Sequence, residues 1–102
     1  MSLFDDRKRG FEEKFRHEQD REFRMRARRN RLFGMWAADR LQLPAGEREA
    51  YAQAVAVADL EAPGDADVVA KVEQDLRAKS VAITTAELQA KLEEFAKEAQ
   101  RF

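Results

Sequence analysis

The sequence predicts an all-α protein: a small four-helix bundle with a long N-terminal helix whose first part is a mobile or projecting arm. Three observations predict it. Ser2 to Leu43 reads as one charged helical stretch with no Pro and only Gly10 and Gly34 inside it. Three later stretches carry apolar residues at spacings of three and four, the period of a helix face. Two short segments, Pro44-Ala45-Gly46 and Pro63-Gly64-Asp65, hold both prolines of the chain and mark reversals between helices.

The first helix is longer than the rest of the fold can cover. At 1.5 Å per residue, Ser2 to Leu43 spans about 60 Å, whereas a compact chain of this size has a radius of gyration of about 13 Å. The later helices, each under about twenty residues, reach along half of it. Leu32, Phe33, Met35, Trp36, Ala37, Ala38 and Leu41 form a dense apolar stripe at the C-terminal end, which therefore belongs in the core, with Trp36 expected as its largest buried side chain. The N-terminal half carries Phe4, Phe11 and Phe15 at spacings that place them on one face of a helix amid Asp5, Asp6, Arg7, Lys8, Arg9, Glu12, Glu13 and Lys14. Such rings either fold back into the bundle or bind a partner. These arguments divide the chain into an arm, residues 1–20, and a bundle, residues 21–102.

The remaining elements follow in order. Pro44, Ala45 and Gly46 stop the first helix. A second runs from about Glu47 to Asp59, with Tyr51, Ala54, Val55 and Ala58 on its inner face. A third, Ala66 to Lys79, carries Val68, Val69, Val72 and Leu76, with Asp65 or Asp67 placed to cap it. The fourth opens on the clearest local signal in the chain, the capping box Thr84-Thr85-Ala86-Glu87 with Ile83 and Leu88 as its hydrophobic staple. Leu88, Leu92, Phe95 and Ala99 continue its inner face.

A chain of 102 residues, 38% charged and 44% hydrophobic, suits one soluble, mostly helical domain. It has no Cys, hence no disulfide, thiolate nucleophile or Cys-type metal site. No apolar run is long enough for a membrane span or a secretory signal, so an intracellular protein that keeps its N-terminus is expected. The hydroxyls stand beside no base in a catalytic arrangement, the glycines are scattered, and adjacent acids such as Asp5 and Asp6 point in different directions around a helix. No catalytic residue and no metal site is assigned.

The net charge of −1 conceals an asymmetry. Residues 1–43 hold ten Arg and two Lys against four Asp and four Glu, while residues 44–102 hold seven bases against twelve acids. Arg21, Arg24, Arg26, Arg28, Arg29 and Arg31 crowd one stretch, and of these Arg21, Arg24, Arg28 and Arg29 are candidate anion or partner contacts. An Arg-rich helix that grips nucleic-acid phosphates is the alternative function. Asp20, Glu22 and the near-zero total charge weigh against it, and a solvated face partly paired with the acidic later helices explains the same residues. His17, the one His, titrates near neutrality and is a candidate pH control on docking of the arm.

The stretch from Phe4 to Leu41 also resembles a known family. Phe4, Asp5, Asp6 and Arg7, the spaced Phe11, Glu12, Lys14, Phe15 and His17, and the block from Ala27, Arg28, Arg29 and Asn30 through Leu32-Phe33-Gly34-Met35-Trp36-Ala37-Ala38 are similar to the zeta subunit family of alphaproteobacteria, inhibitors of the F-type ATP synthase (F1FO-ATPase). Looser similarity continues through Tyr51, Ala52, Asp59, Pro63, Gly64, Asp65, Asp67, Val68 and Lys71. The resemblance implies a four-helix bundle and a regulatory, non-enzymatic protein. It also implies an N-terminal segment that orders as a helix between the catalytic alpha and beta subunits, against the rotor gamma subunit, and blocks ATP hydrolysis. Carried over, the inhibitory residues are Phe4, Asp5, Asp6, Arg7, Lys8, Phe11, Glu12, Lys14, Phe15 and His17. The implied location is cytoplasmic, peripheral to the inner membrane through the synthase. No cofactor is required, and adenine nucleotide (ADP or ATP) is a candidate ligand with no residues assigned. Gly10 departs from the family pattern of Ala or a similar residue and lowers helix propensity by about 1 kcal/mol.

Overall fold

The computed structural model describes the backbone of residues 3–61 and 64–101 and the side chains of residues 19–60 and 64–101. Four helices follow in order, α1 (Leu3–Arg40), α2 (Ala45–Glu61), α3 (Ala66–Ala78) and α4 (Thr85–Ala99), with no strand among the described residues. The fold is the expected all-α four-helix bundle. α1 sets its shape: 38 residues rise about 57 Å, and the molecule measures 64 × 28 × 25 Å with a radius of gyration of 17.6 Å. Helices α2, α3 and α4, of 17, 13 and 15 residues, enclose the C-terminal part of α1, where Phe33, Ala37 and Leu41 enter the core.

Two helices end the same way. Beyond α1, the Gln42 N–H donates to the Asp39 carbonyl at 3.0 Å and the Leu43 N–H to the Ala38 carbonyl at 3.1 Å. Beyond α3, the Ser80 N–H donates to the Arg77 carbonyl at 3.0 Å and the Val81 N–H to the Leu76 carbonyl at 2.9 Å. Gln42 (φ 57°) and Ser80 (φ 59°) take the left-handed conformation that this closure requires, although neither is glycine. The first helix thus stops at a backbone motif before Pro44. Ala45 and Gly46, expected as part of the stop, are instead the first turn of α2, whose Glu47 N–H donates to the Pro44 carbonyl at 2.9 Å.

The inner face of α2 is Ala52, Val55 and Asp59, whereas Ala54 is exposed. Ala52 meets α1 at Gly34, where a Cβ would lie 2.7 Å from the Ala52 Cα. The obstacle is backbone, so a methyl group there forces the two helices apart. Overpacking of this kind costs about 1–3 kcal/mol, against about 1 kcal/mol gained in helix propensity. Gly34→Ala is expected to lower stability by about 1–2 kcal/mol in urea unfolding. A gain in stability would show that the α1–α2 contact is loose at this point.

Around that contact lie Phe33, Val55, Val68, Val72, Leu76 and Leu88, all fully buried. Trp36 is not the largest buried side chain. It is only half-buried, stacked on Phe33 at 5.8 Å and tilted against Phe95 at 6.5 Å, with the Arg40 and Lys91 cations over its ring at 5.7 and 5.8 Å. It packs against the core from its edge, while Phe33 is fully buried. Between α2 and α3, the Tyr51 hydroxyl donates to Asp75 Oδ2 at 2.9 Å, and Lys71 reaches the same oxygen at 3.2 Å. Burial, then the Asp75 carboxylate, push the Tyr51 hydroxyl well above its usual pKa. At the start of α4 the Thr84 hydroxyl accepts from the Glu87 N–H at 3.1 Å, as the capping box predicts, and Thr85 Oγ1 donates to Glu73 of α3 at 2.9 Å.

Candidate functional site

The polar chemistry of the fold gathers where α1 emerges from the other helices. Arg26, Arg29 and Asn30 stand three and four residues apart, on one face of α1. Facing them are Asp59, in the last turns of α2, and Asp65, at the start of α3. Asp59 accepts two hydrogen bonds from the Arg26 guanidinium, Nε to Oδ2 and Nη2 to Oδ1, both 2.6 Å, and a third from Asn30 Nδ2 at 2.8 Å. Arg29 donates to Asn30 Oδ1 through Nε at 3.0 Å and Nη2 at 2.8 Å, and to Asp65 Oδ1 through Nη1 at 3.0 Å.

Every member of the cluster is therefore partnered, and among the described residues no buried side-chain nitrogen or oxygen lacks a hydrogen bond. Only 4% of the Asp59 side chain is exposed. Its carboxyl is held below the usual carboxylate range, first by the hydrogen bonds from Arg26 and further by the Asn30 amide, although burial works the other way. The same contact raises the Arg26 guanidinium. Asp65 stands at the N-cap position of α3, yet its carboxylate makes no capping bond and turns to Arg29 instead.

The four candidate arginines have different surroundings. Arg21 and Arg24 are exposed. Arg28 is half-buried and donates to the Ala99 carbonyl at the end of α4 at 3.1 Å. Arg29 is buried in the cluster. With Arg26 and Arg31 also paired, to Asp59 and Glu49, at least half of the six arginines between positions 21 and 31 are engaged with acids of the bundle. That pairing reduces the charge left to attract nucleic-acid phosphates. Phe4, Asp5, Asp6, Arg7, Lys8, Phe11, Glu12, Lys14, Phe15 and His17 belong to α1, but their side chains lie outside the described residues.

Sequence reading missed two parts of this region. Asp59 follows Ala52 and Val55 at helical spacing, a signal that the choice of Ala54 and Ala58 as the inner face concealed. Phe23 and Leu60 were also missed. They are 62% and 70% exposed and line one groove of about 430 Å³ between α1 and α2, which Ala27, Ala56, Arg26, Asn30 and Asp59 also line. A second groove, of about 480 Å³, lies on the other side of Phe23 toward Ala96 and Gln100. No group of three or more His, Asp or Glu able to hold a metal ion occurs among the described residues, and no described helix is long and apolar enough to cross a membrane.

Fold and site together define a small all-α protein whose first helix runs far beyond its three partners and whose arginines at positions 26, 29 and 31 pair with acids of the other helices. The chain belongs to the ATPase inhibitor subunit zeta family, whose model matches residues 1–101. It is thus a member of a regulatory family, named for inhibition of an ATPase. Comparison with curated proteins finds no match.

Proposed function

We propose that this chain restrains ATP hydrolysis by the F-type ATP synthase, with residues 1–20 as the inhibitory arm and residues 21–102 as the bundle that supports it. The arm inserts between the alpha and beta subunits against gamma, and the protein resides in the cytoplasm, peripheral to the inner membrane through the synthase. The observation that carries the reading is α1 itself, one helix of 38 residues in a chain of the inhibitor family, with Gln19 to Arg24 all exposed. A helix of that length reaches well beyond a bundle whose other helices have 17 residues or fewer.

Burial of Phe4, Phe11 and Phe15 in the subunit cleft supplies the driving force, and Asp5, Asp6, Arg7, Lys8, Glu12, Lys14 and His17 pair with its walls. Each buried ring contributes about 1.5–3 kcal/mol, part of which offsets the entropy of ordering the arm. Adenine nucleotide remains a candidate ligand in this reading, and exposed Arg21 and Arg24 are candidate partner contacts.

The test is ATP hydrolysis by purified alphaproteobacterial F1 titrated with the full chain and with a Phe11→Ala/Phe15→Ala variant. Loss of two rings should weaken inhibition at least a hundredfold, about 3 kcal/mol or more, with the melting temperature of the free protein unchanged. If the parent chain does not inhibit, or if inhibition and melting temperature fall together, the arm reading is wrong.

A further inference from the structure

We propose that the end of the bundle from which the arm departs is a second contact with the same ATPase. It forms an apolar collar, centred on Phe23 and Leu60, that seats on an apolar surface around the mouth of the cleft the arm enters. The inference rests on the inhibitory-arm reading above. Its starting point is exposure: Phe23, Val57 and Leu60 are the large hydrophobic side chains left open among the described residues. Phe23 and Leu60 are 37 positions apart in sequence yet wall the same groove of about 430 Å³. Val57 stands one turn before Leu60 on α2.

The topology puts this patch where a partner of the arm must touch it. α2 follows α1 after a short connection and returns alongside it, so the last turns of α2 lie beside residues 23–30, as the Arg26–Asp59 ion pair records. The arm leaves the bundle across this end. Because α1 is one helix from Leu3 to Arg40, the arm and Phe23 are parts of one rod. An arm buried to residue 20 brings residue 23, less than one turn further along, against whatever surrounds the opening.

The surface also has the composition of an interface. Phe23, Leu60, Ala27 and Ala56 make an apolar centre, and exposed Asp20 and Arg24, three positions before and one after Phe23 on α1, put charges of both signs beside it. Within the groove the Asp59 carboxylate is already hydrogen-bonded to Arg26 and Asn30, so it keeps its donors when the groove is covered. The expected occupant is therefore an apolar protein surface of the ATPase with polar groups of both signs at its edge. A small anion would find the Arg26 guanidinium already engaged by Asp59.

The experiment compares the full chain, a Phe23→Gln/Leu60→Gln variant and a Phe11→Ala variant as inhibitors of purified F1, with melting temperature and sedimentation of each free protein. Both collar side chains are exposed, so the double variant should melt with the parent and require at least tenfold more protein for half-inhibition. Parent-like inhibition by the double variant, with Phe11→Ala impaired, would overturn the collar and leave the arm standing. A parent dimer that becomes a monomer in the double variant, with inhibition unchanged, would make the patch a self-association surface and also overturn the collar. If the parent fails to inhibit, the arm reading falls and the collar with it. Should the double variant melt early, a photo-reactive phenylalanine at Leu60 provides the second test: it should cross-link to a subunit of inhibited F1, and no cross-link there refutes the contact.

Discussion

Phe33→Ala is expected to remove about 4 kcal/mol of stability, and Trp36→Ala about half as much. Phe33 is fully buried, the largest side chain to be so among the described residues, and it belongs to the core cluster with Val55, Val68, Val72, Leu76 and Leu88. Its ring stacks on Trp36 at 5.8 Å and an interplanar angle of 15°, and meets Phe95 at 6.5 Å. Truncation removes the transfer free energy of the ring and leaves a cavity that rigid helices on either side cannot close, for which about 3–5 kcal/mol is typical. Trp36 keeps one face in contact with solvent and with the cations of Arg40 and Lys91, so its loss empties a surface niche that water can fill. In a chain of this size, with a total stability of about 5–15 kcal/mol, the Phe33 variant should melt about 20 °C below the parent. Urea unfolding followed by circular dichroism measures both. Equal losses for the two variants would mean that the core is centred on the Trp36–Phe95 edge.

The inversion of Trp36 and Phe33 shows what sequence pattern reveals and what it leaves out. Spacing located the apolar stripe of α1, and the Thr84–Glu87 capping box located the start of α4, because both signals lie within one or two turns of chain. Depth within the stripe is different. It depends on how α4 packs across α1, here through Phe95 against both rings, which no local spacing encodes. The ends of α1 and α3 were blurred for a related reason: Gln42 and Ser80 close these helices in a conformation for which glycine is the usual marker, so the chain carries no glycine where the helix stops.

The polar cluster lay further from view. Arg26 and Asp59 are 33 positions apart, Arg29 and Asp65 are 36, and such pairs become visible only when the turn between α2 and α3 brings the acids back to α1. The resemblance to the inhibitor family was dense over α1 alone, yet the family match extends over residues 1–101. The proposed inhibitory positions rest on that resemblance and on the helical spacing of Phe4, Phe11 and Phe15. Phe23 and Leu60 belong to neither pattern, since only the packing of α2 against α1 makes them neighbours.

Asp59 is where that hidden pairing carries the largest consequence. Asp59→Ala is expected to cost about 2–3 kcal/mol, because it takes the acceptor from the buried Asn30 amide and removes the carboxylate that lies 3.9 Å from the buried Arg29 guanidinium. Arg26, 43% exposed at its side chain, can return to water, which holds the loss below that of a fully buried pair. Charge also predicts a pH dependence of definite sign. The carboxyl of Asp59 is lowered in the folded chain by the hydrogen bonds from Arg26 and Asn30. Between its lowered value and the usual carboxylate value of about 4, the unfolded chain binds more protons than the folded one, so stability rises with pH across this window. The contribution is complete above about pH 4 and is lost as acidification passes the lowered folded value. Asp59→Asn retains the shape without the charge. Unfolded in urea at pH 7 and pH 3, it should lose less stability on acidification than the parent does. The same acid dependence in both proteins would mean that another carboxylate governs it and that the Arg26–Asp59 pair adds nothing net to the fold.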